Sequence, residues 1–103
     1  MAYLIAVHGL GEDPDTYRKY YFDTHLPLAK ALPGLRRYEI SDEPVLDADG
    51  SQIAEFVAVM GFDSVAAIRF ALAEPEGHTA INDLPNFAAP HQIKLMMFDT
   101  KVV

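Results

Sequence analysis

Apolar positions along the chain change period several times, and the changes outline six elements. Ala2–His8, AYLIAVH, is an unbroken apolar run containing Tyr, Ile and Val. It reads as a strand that is apolar on both faces. Gly9-Leu10-Gly11 opens a turn, and Asp13-Pro14 predicts a helix start, with Asp13 as N-cap and Pro14 in the first helical position. From Tyr17 the period lengthens. Tyr17, Tyr21, Leu28 and Leu32 recur at multiples of three and four, so they share one helical face that Tyr20 and Phe22 widen. His25 lies one turn beyond Tyr21, on the same side. Pro27 has no N–H for the carbonyl of Asp23, which predicts a kink between Asp23 and Leu26. Pro33-Gly34 predicts the stop.

Leu35–Ser41 reads as a second strand. Glu43–Ser51 holds Pro44 and Asp49-Gly50, a loop or hairpin signal. Ile53–Phe62, IAEFVAVMGF, reads as the third strand, with Glu55 its one charge. Asp63 or Ser64 then caps a helix over Val65–Ala73. Its sheet-facing side is expected to be Val65, Ile68 and Leu72, with Ala66 and Phe70 adjoining. Glu74-Pro75-Glu76-Gly77 reads as a break. A short helical turn is expected within His78–Phe87, and a last strand over Gln92–Lys101.

The order β-α-β-β-α-β predicts one α+β domain over residues 1–103, ferredoxin-like, with two helices covering one face of an antiparallel sheet. A sheet wetted on one side alternates apolar and polar residues. This one does not. Tyr3, Ile5 and Val7 oppose Ala2, Leu4 and Ala6 on the first strand, and Val57 and Val59 oppose Phe56, Ala58 and Met60 on the third. Several hundred Å² of exposed apolar sheet, at about 25 cal/mol per Å², is a liability of many kcal/mol. A homodimer with its sheets face to face is therefore expected.

Composition narrows the partners. The 103 residues carry a formal net charge of −7, which argues against nucleic acid and anionic membrane as partners. The chain has no cysteine, hence no disulfide frame, thiol nucleophile or thiolate metal site. That fits a reducing cytoplasm. The N-terminal apolar run is too short and lacks the basic flank of a signal peptide. No stretch is long enough to span a bilayer.

Three segments carry a family resemblance: His25-Leu26-Pro27-Leu28, Leu32-Pro33-Gly34-Leu35, and Pro75-Glu76-Gly77 followed by Asp83-Leu84 and Phe87. With them, nearly the whole chain resembles the ethyl tert-butyl ether degradation (EthD) family. The resemblance implies the dimeric α+β barrel, in which the ligand pocket lies between the sheet and its covering helices. Founding members accompany a cytochrome P450 system that degrades an ether. Relatives of similar fold include cofactor-free monooxygenases, muconolactone-type isomerases and polyketide cyclases, so the resemblance sets fold more firmly than reaction.

Among the residues that carry chemistry, His25 is the leading acid–base candidate, because an ordinary imidazole titrates near neutral pH. The family motif also has a histidine where His25 stands. Its structural alternative is a helix-end histidine filling a semi-polar gap. His8, ending the first strand, is the second catalytic candidate; some polyketide cyclases of similar fold have a histidine on this strand. The plainer alternative is an exposed strand-end side chain. Tyr17 and Tyr21 are candidate substrate-binding residues, with packing as the competing explanation. His78 and His91 read as solvated loop residues, and Asp83 as the brace of a turn. No short histidine spacing suggests a metal, and no cofactor is expected. Three functions remain: cofactor-free proton-transfer catalysis on a small apolar oxygenated compound, non-catalytic binding in support of an oxidation system, and a purely structural dimer.

Overall fold

The computed structural model describes residues 1–103. Its elements are β1 (Ala2–His8), α1 (Pro14–Tyr20), a π-helical turn (Tyr21–His25), α2 (Leu26–Lys30), β2 (Arg37–Ile40), β3 (Val45–Leu46), β4 (Gln52–Ala54), β5 (Phe56–Phe62), α3 (Val65–Ala73), α4 (Pro75–Asp83), a 3-10 turn (Leu84–Asn86) and β6 (Ile93–Asp99). Four strands form one antiparallel sheet in the order β2-β5-β1-β6, and β3-β4 make a separate small hairpin. This is the ferredoxin-like arrangement, with the hairpin inserted between its second and third main strands. Leu4 pairs with Met60 on one side and Met97 on the other, which sets the register of the central strand.

The helices lie on the face made by Ala2, Leu4, Ala6, Ala58, Met60 and Phe62, and Leu32, Ile68 and Ala71 complete that core. Alanine at three of the sheet positions lets the helical layer come close. A second cluster, Tyr17, Tyr21 and Phe56, adjoins it under α1. The opposite face carries Tyr3, Ile5, Val7, Val57 and Val59 together with Met96 and Phe98, both 41% exposed. The two apolar faces expected from the strand sequences are both present, and one has no cover within the chain.

The proline kink takes a specific form. Asp13 caps α1 by accepting from the Thr16 amide, and Pro14 fills the first helical position. The helix does not break at Pro27. It widens one turn earlier, where the Leu26 amide reaches back to the Tyr21 carbonyl. A π turn accommodates the missing proline N–H without interrupting the chain's path. The extra residue in that turn shifts the inward position from the expected Leu28 to Ala29, which is buried while Leu28 is half-buried. Phe22, expected on the inner face, is 40% exposed. The helix ends at Lys30 with Ala31 as its cap. Gly34, φ 81°, takes the left-handed conformation not at the helix end but in the following turn, where the Leu35 amide reaches the Leu32 carbonyl.

Three further expectations change. Ile53–Phe62 is not one strand: Gln52–Ala54 pairs with Val45–Leu46 in the small hairpin, and the sheet strand runs Phe56–Phe62, beyond Glu55. Phe70 is 61% exposed, and Ala71 takes the inner position beside Ile68. The break expected at Glu74-Pro75 is present, since α3 ends at Ala73 and Glu74 is extended, but no loop follows: Pro75 opens α4 directly. Gly77 lies where α4 crosses α3 so closely that a Cβ would sit 2.3 Å from the Ala71 carbonyl oxygen. Glycine here serves helix contact, not a turn. No helix is long and apolar enough to cross a membrane.

Candidate functional site

A cavity of about 40 Å³ lies between the sheet and the helices. Its walls are aliphatic except for His8, Tyr21, His25 and Tyr38. Most lining residues are buried; Ile81, 39% exposed, and Leu95, 43% exposed, are the ones that reach solvent most. They place the mouth between α4 and the edge strand β6. That is room for a few waters, or for the reacting end of a larger compound.

The π turn aims His25 at this chamber. The Nδ1 of His25 lies 2.9 Å from Asp83 Oδ2, with both side chains 8% exposed. Asp83 comes from the end of α4. Its other oxygen accepts from the Tyr20 hydroxyl at 2.7 Å and from the Asn86 amide at 3.0 Å. Burial pushes the Asp83 carboxyl up, but the hydrogen bonds from Asn86, Tyr20 and His25 together outweigh it and hold the group below its ordinary value. Asp83 is therefore an anion at neutral pH and only accepts. His25 Nδ1 must carry the hydrogen, which leaves Nε2 bare in the neutral ring.

His8 forms the second buried pair. Its Nδ1 lies 2.7 Å from the Tyr17 hydroxyl. The ring stacks on Phe56 at a centroid distance of 4.3 Å and meets the edge of Tyr21 at 4.9 Å. Burial, reinforced by the charge His25 would carry beside it, pushes the His8 pKa down to about 3. The ring is neutral through the physiological range. Neither histidine's Nε2 has a partner in the protein, and no fully buried side-chain nitrogen or oxygen lacks one. Both Nε2 atoms must therefore touch open space. For His8, 1% exposed, that space is the cavity it lines.

Tyr21 and Tyr38 bond to each other through their hydroxyls on the cavity wall, and burial raises both pKa values. Both stay protonated. Tyr17 is not a wall of the chamber. It lines a wider outer groove of about 670 Å³ with Tyr20, Asn86 and Phe87. Each cavity histidine is thus bonded, directly or through Asp83, to a tyrosine that faces this groove.

The expected candidates have distinct locations. His8, His25 and Tyr21 converge on the chamber, and Tyr17 backs His8 from outside. His8 is not the exposed strand-end side chain of the plainer reading. His78 and His91 are exposed, as expected, although His78 lies on α4 and not in a loop. Asp83, Tyr20, Asn86 and Tyr38 belong to the site in addition to the expected candidates. Asp83-Leu84 stood in the family motif, but nothing in the local sequence pairs it with His25. No three histidine or acidic side chains are grouped so as to hold a metal ion.

The fold and this arrangement define a small α+β protein with a histidine-lined apolar chamber. The EthD domain family model matches residues 10–91, and the chain belongs to that family. An uncharacterized 11.0 kDa protein from the thcB-thcC intergenic region of Rhodococcus erythropolis is 32% identical over 77 residues, 75% of this chain and 74% of that one. Among solved structures, an EthD family protein from Bacillus halodurans superposes with a TM-score of 0.87 at 27% identity, covering 98% of this chain and 99% of that one. SnoaB, a cofactor-independent oxygenase from Streptomyces nogalater, matches in fold with a TM-score of 0.63 at 20% identity, over 99% and 94% of the two chains. A dimeric ferredoxin-like protein of unknown function from Jannaschia sp. CCS1 does so with a TM-score of 0.63 at 16% identity, over 96% and 97%.

Proposed function

We propose that this EthD-family protein is a homodimeric, cofactor-free catalyst that moves a proton on a small apolar oxygenated compound, with His25 Nε2 as the base. The observation that carries this reading is the buried His25–Asp83 pair on the chamber wall. An anionic partner on Nδ1 orients the ring and stabilises the imidazolium formed when Nε2 takes a proton. Tyr21 and Tyr38 supply polar edges in an otherwise aliphatic chamber, the composition expected of a small-molecule site. The compound's apolar part would lie through the mouth, against Ile81 and Leu95.

The homodimer is supported by the uncovered face of the sheet. Tyr3, Ile5, Val57, Val59, Met96 and Phe98 form a continuous apolar surface that a second copy would cover, closing the two sheets into an α+β barrel. The dimeric state of the Jannaschia protein of like fold is consistent with it.

His25→Ala tests the catalytic reading. Asp83 keeps Tyr20 and Asn86 as donors in that variant, so folding and dimerisation are expected to survive while turnover is lost. Collapse of the fold would instead favour a structural role. A second reading, an accessory protein that binds the compound without transforming it, is favoured by the small, apolar chamber. It is distinguished by ligand binding without any exchange of the ligand's hydrogens.

A further inference from the structure

We propose that the two cavity histidines have opposite hydrogen-bonding polarity, His25 presenting a bare Nε2 and His8 an Nε2–H, and that together they select a compound with a C–H bond next to a carbonyl. The proposal rests on the reading of His25 as the base and adds the partner that reading lacks.

The polarity follows from what backs each ring. His25 faces a carboxylate, which cannot donate, so its hydrogen sits on Nδ1. His8 faces a phenol, which can. Tyr17 keeps its proton, because burial first and the charge of Glu55 next raise its pKa. The hydroxyl's one protein partner is His8 Nδ1, at 2.7 Å; by donating to it the buried O–H satisfies its hydrogen, whereas accepting from an Nδ1–H would leave that hydrogen without a protein partner. Tyr17 therefore donates to Nδ1, and the one hydrogen of the neutral His8 ring is left on Nε2, toward the chamber. Tyr17 is a positioning residue: it sets the tautomer of His8 from the outer side and does not line the cavity.

A base and a neutral donor facing one small apolar space suit enolisation. A C–H bond beside the carbonyl breaks, and its proton goes to His25 Nε2. The bonding pair moves into the C–C bond as the carbonyl π pair shifts onto oxygen. That oxygen accepts from His8 Nε2–H, which remains in place because a neutral imidazole bound this way is not itself deprotonated. His25 then returns a proton to carbon: at the same position after its Nε2 hydrogen has traded with water, which gives exchange, or at a conjugated position, which gives isomerisation. Charge balances within the site, and no oxidant or reductant is consumed. An ether or alkane offers His8 no acceptor of comparable strength coupled to an acidic hydrogen, so the pairing distinguishes carbonyl compounds from them.

Nitrogen-15 NMR of the intact protein at neutral pH reads both tautomers directly. His8 is expected as Nε2–H and the neutral form of His25 as Nδ1–H; in Tyr17→Phe the His8 signal is expected to become a mixture of tautomers. Cyclohexanone is then titrated against cyclohexane, a probe of similar size with no acceptor. The ketone should shift the His8 Nε2 signal and the hydrocarbon should not. His8 appearing as Nδ1–H, or responding alike to both probes, would overturn the proposal. The base is tested separately by α-deuterium exchange of cyclohexanone in deuterated water. No exchange above buffer in the wild type removes the catalytic role of His25 while leaving the tautomer result to stand or fall alone. Where the wild type exchanges, His8→Phe, which retains the stack on Phe56, should lose about a hundredfold of the rate; an undiminished rate defeats the donor assignment by itself.

Discussion

Asp83 and His25 stand 58 positions apart in the chain, and their side chains meet at 2.9 Å between the end of α4 and the π turn. Three donors converge on that one carboxylate, so it is ionised and immobile. The arrangement leaves a single orientation for the His25 ring, and it ties the helix layer together across the chamber.

Replacing Asp83 with asparagine keeps the shape and removes the charge. The amide oxygen can still accept from His25, but no anion stabilises the imidazolium, and the amide NH2 can turn toward the ring and reverse its tautomer. The α-exchange rate of a ketone probe is expected to fall about a hundredfold or more while circular dichroism stays native. An Asp83→Asn rate equal to wild type would dissociate the carboxylate from the chemistry.

His8 makes stability depend on pH. Its pKa falls from 6.5 in the unfolded chain to about 3 in the fold. The unfolded state therefore binds the proton first as the pH drops. Stability from the neutral buried ring is complete above 6.5 and is lost as the pH descends toward 3, at a slope approaching roughly 1.4 kcal/mol per pH unit. Asp83 acts in the same sense lower down, its contribution full above 3.8 and lost as the pH falls through its depressed folded value. Urea unfolding between pH 6.5 and 4 should show the His8 slope in the wild type and a flatter profile in His8→Phe.

The uncovered sheet face predicts an assembly. A native chain at micromolar concentration should sediment as a dimer. Charged residues in place of Val57 and Val59 should yield a monomer or an insoluble protein, since they stand at the centre of the apolar surface. A soluble wild-type monomer at that concentration would remove the homodimer and the closed barrel together.

Gly77 tests the helix crossing. A methyl group there meets the backbone of Ala71 and Leu72 at 2.3 and 2.5 Å, contacts that only movement of a whole helix can relieve. Gly77→Ala should cost about 3 kcal/mol or more and lower the melting temperature by more than about 10 °C. Because α4 carries Asp83, a surviving Gly77→Ala protein should also lose the His25 tautomer signal. A thermal transition within a degree or two of wild type would mean that the two helices pack less closely.

Local signals carried much of the fold. The Ala2–His8 strand, the Asp13-Pro14 cap, the Asp49-Gly50 turn, the Ser64 cap and the left-handed turn at Gly34 are legible because each depends on neighbours a few residues away. Pro27 announced a disturbance and could not announce its kind, since a π turn and a break both answer a missing N–H. The inward shift from Leu28 to Ala29 followed from that choice. The exposure of Phe70 has another cause: a helix this apolar has no clear polar side to set its rotation. Pro75-Glu76-Gly77 carried two helix-breaking residue types, yet Pro suits a first turn and Gly suits a close crossing.

By itself the sequence determined the order of the four sheet strands and their helices, the two apolar faces of the sheet and the presence of a histidine one turn beyond Tyr21, because periodicity, caps and turn residues act over short distances. Only the tertiary structure decided which sheet face lines the chamber, that His8 is sealed within it, and that Asp83, Tyr20 and Tyr17 hold the two imidazoles. Those relationships join residues from separate elements, and a linear pattern contains no term for which distant side chains a fold will bring within hydrogen-bonding reach.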